Sequence, residues 1–249
     1  YAYNGFINPL VVTVVGNHVV TTTSDGLNNS ITWGNDTLTG GAGHDTVNGG
    51  NGNDSIVGGH GAGNDKYNGG NGIDTVTYTS ATAGIKVDLV KGVASAIAGG
   101  DAASIGVDKL TGVENIVGGN YADIIIGNTV ANVLTGGLGA DKLYGGNDNV
   151  RDVFDFNSVE DSNSSSRDVI YQFKSKVDDL DLSTIDANLS NGGDQQFTFS
   201  GTTSAANSVW YAKSGSSVVV YADNNGDGIA DFEVQLSGVA KLTTADFLL

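Results

Sequence analysis

Residues 40–77 read GGAGHDTVN (40–48), GGNGNDSIV (49–57), GGHGAGNDKYN (58–68) and GGNGIDTVT (69–77), preceded by a partial unit, GNDTLT, at 34–39. The glycine pairs begin at Gly40, Gly49, Gly58 and Gly69, so the period is nine residues with one insertion of two. The phase returns at Gly118, Gly127, Gly136 and Gly145. Two residues after the acidic position every unit carries an apolar side chain: Leu38, Val47, Ile56, Tyr67, Val76, Ile125, Leu134, Leu143 and Phe154. A flexible linker rich in Gly, Asn and Asp has no use for a phased apolar position, so the pattern is structural.

Paired glycines permit positive φ and leave no Cβ, so a six-residue loop can turn sharply with its carbonyls pointing inward. The three residues after the aspartate then form a short strand whose middle side chain faces a core. Two loops and two strands make one coil of eighteen residues, and units two apart stack on the same edge. Stacked strands lie about 4.8 Å apart, and Ca²⁺–O distances run about 2.3–2.6 Å. An ion therefore fits midway between two stacked loops. Asp36 and Asp54 are eighteen residues apart, as are Asp123 and Asp141, while the insertion stretches Asp45/Asp65 and Asp54/Asp74 to twenty. Each pair can clamp one ion. Carbonyls of Gly41, Gly43, Gly50, Gly52, Gly59, Gly61, Gly70, Gly72, Gly137 and Gly139 would complete an oxygen shell of about six to eight ligands. Asp152, in the last unit, is the further candidate.

This nonapeptide, GGxGxDxUx, resembles that of the RTX proteins, the haemolysin-type calcium-binding repeat family. Four units at 40–77 and one at 136–144 carry the motif in phase. Departures fall in the second block: Tyr121 replaces the fourth-position glycine, Asn132 replaces an aspartate, and 147–152 is a lengthened loop. The run FDFNSVEDSNSSSRDVIYQFKSKVDDLDLSTIDA (154–187) resembles the segment that follows the roll in serralysin-type proteases, several RTX lipases and the modules of alginate epimerases. Repeats and segment together cover about 34–249. The resemblance implies several bound Ca²⁺ ions and an all-β fold, a parallel β-roll (the RTX β-helix or solenoid). Because those families differ in chemistry, it names no reaction.

Around the roll, 10–15 and 19–23 are β-prone runs separated by Gly16-Asn17-His18, which predicts a hairpin capping the first coil within residues 1–33, or the end of a preceding domain. His18 reads as a turn residue. The roll is expected over 34–152, interrupted at 78–116. There 84–89 and 109–116 should be strands and the Ala/Gly/Ser-rich 93–106 an excursion; the family resemblance implies that the coil continues through wider turns. Residues 153–249 contain short β-prone runs at 153–156, 169–173, 180–182, 197–199, 209–211, 217–221 and 232–236, predicting a C-terminal β cap. Within it Asp223, Asn225 and Asp227, with Gly228 at the sixth place and Asp231 at the ninth, imitate a calcium loop, although Val234 stands where the bidentate Glu would be. The same stretch also reads as a hairpin turn.

Composition narrows the function. The chain has 249 residues, 38 glycines, one proline, no cysteine and a formal net charge of −17. That charge excludes a broad nucleic-acid footprint and disfavours anionic membrane surfaces. Without cysteine neither disulfides nor thiolate sites exist, so metal would act as the staple. No stretch approaches a membrane span, and no basic region precedes the apolar 10–15 as an export leader would require. The first residue is Tyr rather than Met, which suggests a piece of a longer chain. The ending Asp246-Phe247-Leu248-Leu249 resembles the uncleaved type I secretion signals of RTX proteins, and also reads as a last edge strand.

Neither an HExxH zinc helix nor a GxSxG nucleophile elbow occurs, and the three histidines sit in turn or loop contexts. The chain therefore reads as a non-catalytic calcium-binding module that folds on Ca²⁺ after type I secretion, the export and folding part of a larger secreted protein whose catalytic domain would precede residue 1. Two other functions fit the same features. One is a calcium-dependent, self-assembling surface-layer, adhesin or matrix protein at the cell surface. The other, suggested by the epimerase resemblance, is a module for extracellular polysaccharide.

Overall fold

In the computed structural model, the backbone is described for 11–15, 19–21 and 28–249 apart from 42, 59, 60, 62, 100 and 101, and side chains from residue 34 onward. Strands β1 (Val11–Val15), β2 (Val19–Thr21), β3 (Asn28–Trp33), β4 (Thr37–Thr39), β5 (Thr46–Asn51), β6 (Ser55–Val57), β7 (Lys66–Asn71) and β8 (Thr75–Thr77) alternate between two sheets. From β1 to β6, each pairs in parallel with the strand two places on. Thr37 lies opposite Ser55 and then Thr75 in one sheet, and Thr46 opposite Lys66 in the other. The middle residue of each strand after an aspartate points between the sheets. Leu38, Val47, Ile56, Val76, Ile125, Leu134, Leu143 and Phe154 are fully buried and Tyr67 nearly so. Burying such a side chain stabilises the fold by roughly 1.5–3 kcal/mol, so the core is a thin stack of one apolar residue per half-coil.

The N-terminal hairpin is not what forms. β1 and β2 exist, but β1 pairs in parallel with β3 and β2 with β4, in different sheets. The first repeat coil presents two exposed strand edges with unpaired N–H and C=O groups. Two parallel strands cover both edges, whereas a hairpin would cover one. His18 and its neighbours lie outside the described residues.

The interruption at 78–116 stays within the sheets. β9 (Ile85–Asp88), β10 (Val93–Ala96) and β11 (Val107–Thr111) form an antiparallel meander, with Val93 opposite both Asp88 and Lys109. Residues 93–96 are thus a strand and not an excursion: Ala94 and Ala96 alternate inward, and small side chains concealed the period. The run 109–116 is split, because Gly112 takes a φ of 56° and turns the corner into β12 (Asn115–Val117). As a result the larger sheet holds β11, β10 and β9 between β7 and the next repeat strand, β13 (Ile124–Ile126). The smaller sheet holds only β12 between β8 and β14 (Val133–Thr135).

Beyond residue 152 the coil continues. β15 (Lys142–Tyr144) pairs in parallel with β17 (Asp168–Tyr171), and β16 (Val153–Asp155) with β18 (Asp179–Asp181). The larger sheet then ends in β19 (Thr198–Gly201), β20 (Ser208–Ser214), β21 (Ser217–Ala222) and β22 (Phe232–Leu236), of which β20, β21 and β22 are antiparallel. Every run expected after 152 is a strand, but neither sheet breaks at 152/153. The chain ends in β23 (Phe247–Leu248), which pairs with β18; Phe247 is buried against Phe199. Among the described residues there is no α-helix, and no helix long enough to cross a membrane.

Candidate metal centre

The acidic positions form ladders along the edges of the roll. On one edge the N–H of Asp36 donates to Asp54 Oδ1 (2.8 Å), that of Asp54 to Asp74 Oδ1 (2.7 Å), and that of Asp74 to Glu114 Oε2 (2.8 Å). On the other the N–H of Asp45 donates to Asp65 Oδ1 (2.8 Å) and that of Asp65 to Asp108 Oδ1 (2.9 Å). The second block repeats the arrangement. Ile85 donates to Asp123, Asp123 to Asp141 and Asp141 to Asp168 at 2.8, 2.6 and 2.7 Å. Asn132 donates to Asp152 and Asp152 to Asp178 at 2.9 and 3.0 Å. All four pairs expected from spacing are thus stacked neighbours. The ladders also recruit Asp108, Glu114, Asp168 and Asp178, which no spacing rule singled out, because each sits beyond an insertion or outside the motif.

Each rung uses one carboxylate oxygen. The second oxygen, Oδ2, of Asp54, Asp74, Asp141 and Asp168 is buried and has no hydrogen-bond partner. Leaving a buried ionised oxygen unmatched is costly. Those oxygens of Asp54, Asp74 and Asp141 lie against the first glycine of their own unit: a Cβ on Gly49 would come within 2.1 Å of Asp54 Oδ2, one on Gly69 within 2.4 Å of Asp74 Oδ2, and one on Gly136 within 2.2 Å of Asp141 Oδ2. Loop carbonyls stack as well. Gly52 and Gly72, at φ of 130° and 143°, face the carbonyl oxygens of Gly34 and Gly52, which an added Cβ would approach to 2.0 and 1.9 Å. Gly41, Gly43, Gly50, Gly61, Gly70, Gly137 and Gly139 also have positive φ; Gly59 lies outside the described residues. Among the described residues no three His, Cys, Asp or Glu side chains converge on a metal position. A shell here must therefore draw on carbonyls. Paired carboxylates with carbonyl oxygens are the donor set of a hard cation, Ca²⁺ above the smaller and more rigidly octahedral Mg²⁺. Bound there, calcium would supply the positive charge the facing carboxylates need and would join successive coils.

Other candidates are placed differently. Asp65 Oδ2 accepts the Tyr67 hydroxyl, and Asp123 Oδ2 accepts the Gly119 N–H. Asp223 turns both oxygens to the N–H groups of Asn225, Gly226 and Gly228, Asn225 Oδ1 accepts Asp227 N–H, and Asp227 Oδ1 accepts Ile229 N–H. That loop closes on its own backbone as the turn between β21 and β22. His44, in its loop, accepts the N–H of Asn64.

Burial raises the proton affinity of these carboxylates in the metal-free chain. It lifts Asp54 and Asp74, takes Asp123 to about 6 and Asp152 to about 7, and raises Asp141 and Asp168 further, nearby aspartates adding to the effect. Their ordinary value is 3.8, so the folded chain binds more protons than the unfolded one. The resulting stability is complete below about pH 3.8 and lost as pH rises through about 6–7 and above. Calcium-free protein should therefore gain β signal in circular dichroism between pH 8 and pH 4.5. A loss over that range would contradict the buried ladders.

Fold and ladders together define a calcium-binding β-roll built from tandem repeats. The family model for the Peptidase M10 serralysin C terminal matches residues 66–249, and that for the RTX calcium-binding nonapeptide repeat (4 copies) matches 30–60. The chain belongs to the serralysin C-terminal family and carries RTX repeats, which bind several Ca²⁺ ions. No curated protein matches it.

Proposed function

We propose that this chain is the non-catalytic part of a secreted protein, exported unfolded by a type I apparatus and folded outside the cell by calcium. The observation that carries this is the set of buried Asp54, Asp74, Asp141 and Asp168 oxygens without a protein partner. Extracellular calcium modules bind at roughly 10⁻⁴–10⁻³ M, far above cytosolic calcium, so the acidic chain stays open until it leaves the cell. The terminal Asp246 is buried and accepts hydrogen bonds from the N–H groups of Thr243 and Lys176. Its segment can therefore be read by an exporter only before folding, and serves afterwards as an edge strand. Fusing residues 1–249 behind a reporter in cells carrying a type I apparatus should release the reporter, and deleting 246–249 should retain it. Normal release of the truncated fusion would leave the edge-strand role alone.

A second function, binding an acidic extracellular polysaccharide, is favoured by one face of the larger sheet. Lys66 and Lys109 lie directly opposite each other on β7 and β11, and Lys86 and Lys142 flank Ile124. All four are exposed and, among the described residues, form no ion pair. Like charges directly opposite are unfavourable, and a polyanion would relieve them. Retention on a polyuronate column at low salt, lost in Lys66→Gln/Lys109→Gln, is the expected result; no retention of the calcium-loaded protein would exclude it.

A further inference from the structure

Asp54, Asp74, Asp141 and Asp168 leave a buried carboxylate oxygen open, whereas two ladder carboxylates in the middle of the roll give theirs to tyrosine hydroxyls. Asp65 Oδ2 accepts the hydroxyl of Tyr67 at 2.7 Å, and Asp108 Oδ2 accepts that of Tyr78 at 3.0 Å. Their Oδ1 atoms take part in the ladder: Asp65 Oδ1 accepts the N–H of Asp45, and Asp108 Oδ1 that of Asp65. Tyr67 stands at the phased apolar position, where the other repeats have Leu, Val, Ile or Phe and so cannot donate. Room for the two rings comes from Gly58, at which a Cβ would lie 3.1 Å from each of them. Tyr78 is fully buried, where a phenol requires a partner, and O–H donation to a carboxylate is among the stronger hydrogen bonds.

We propose that the coil at Asp65 and Asp108 is closed by tyrosine hydroxyls in place of a cation, so that the centre of the roll stands without calcium and divides the calcium-dependent ladders in two. The proposal rests on the calcium reading above and adds which rungs take no ion. A second observation supports it. The repeat coils bury one apolar side chain per half-coil, but the antiparallel meander beside these tyrosines also buries Ile85, Val87, Ala94, Ile105 and Leu110. Its stability therefore depends less on metal than that of its neighbours. Both phenols are held well above their ordinary pKa by burial and the adjacent aspartates, so they stay protonated donors.

The test is hydrogen–deuterium exchange read by mass spectrometry on the whole chain, with chelator and with calcium. In chelator the amides of 65–67, 85–88, 93–96 and 107–110 should exchange at least about tenfold more slowly than those of 36–39, 54–57 and 123–126. Tyr67→Phe should lose that protection at 65–67 and 107–110. In saturating calcium it should also bind one ion more than the unsubstituted protein, counted by equilibrium dialysis and elemental analysis, because Asp65 Oδ2 is then open. Even exchange along the chelated chain would overturn the proposal, and so would a Tyr67→Phe protein with unchanged protection or an unchanged ion count. Should that variant fail to fold, the exchange pattern of the unsubstituted chain decides alone. A chain that binds no calcium at all would instead overturn the calcium reading, a result distinct from calcium bound with even exchange.

Discussion

Alanine at Gly72 is expected to unfold the first half of the roll even in saturating calcium. Gly72 has a φ of 143°, and a Cβ there would stand 1.9 Å from the carbonyl oxygen of Gly52 in the loop stacked on it. Holding a side chain in that backbone region costs about 1–3 kcal/mol. The collision with backbone cannot be relieved by rotating a side chain, so the loops must separate, which also moves the carbonyls available to an ion. A total loss on the order of 4 kcal/mol follows, a large part of the stability of an ordinary domain. Gly215→Ala is the control. It too has positive φ, at 63°, but nothing lies within 4 Å of its added Cβ, so it should cost about 1 kcal/mol. Thermal melts in calcium compare the two. Equal shifts would mean that loop stacking contributes nothing beyond glycine's backbone freedom.

Much of this architecture is legible in the sequence because the repeat fixes two things at once, the turn and the inward side chain. Leu38, Val47, Ile56 and Ile125 could be placed in the core from phase alone. Phase also placed Asp36 over Asp54 and Asp123 over Asp141. What escaped were features set by non-local pairing. The runs at 10–15 and 19–23 look like a hairpin because three turn-forming residues separate them, yet the edges they cover belong to β3 and β4, a choice that local sequence does not record. Residues 93–96 hide a strand behind alanine, whose small side chain suits an inward position between β9 and β11 as well as a loop.

The ladders show the same limit. Asp108 and Asp168 lie 43 and 27 residues from their rungs at Asp65 and Asp141, so the eighteen-residue coil spacing does not reach them. One signal was present for Asp108: Tyr67 and Tyr78 bring hydroxyls to a core whose other phased residues are Leu, Val, Ile or Phe, and a buried phenol asks for an acceptor. The Asp223 loop taught the converse. Its spacing imitates a calcium loop, but in the fold the oxygens are occupied by backbone N–H groups, the ordinary behaviour of Asp and Asn in a tight turn.

Removal of calcium should have the largest effect of all. The metal-free roll sets buried carboxylates along both edges of a chain that carries −17, and its glycine loops lose more backbone entropy on ordering than any other sequence would. Each occupied site contributes about 2.7 kcal/mol when calcium is at 100 times its dissociation constant, so several sites together are comparable with the net stability of a typical domain. Binding free energy is then folding free energy. Far-ultraviolet circular dichroism at neutral pH, recorded in chelator and again after adding about 10 mM calcium, measures this directly. A mostly coil spectrum with a minor β component that converts cooperatively to β on adding calcium is the predicted result. A fully β spectrum in chelator, unchanged by calcium, would contradict it.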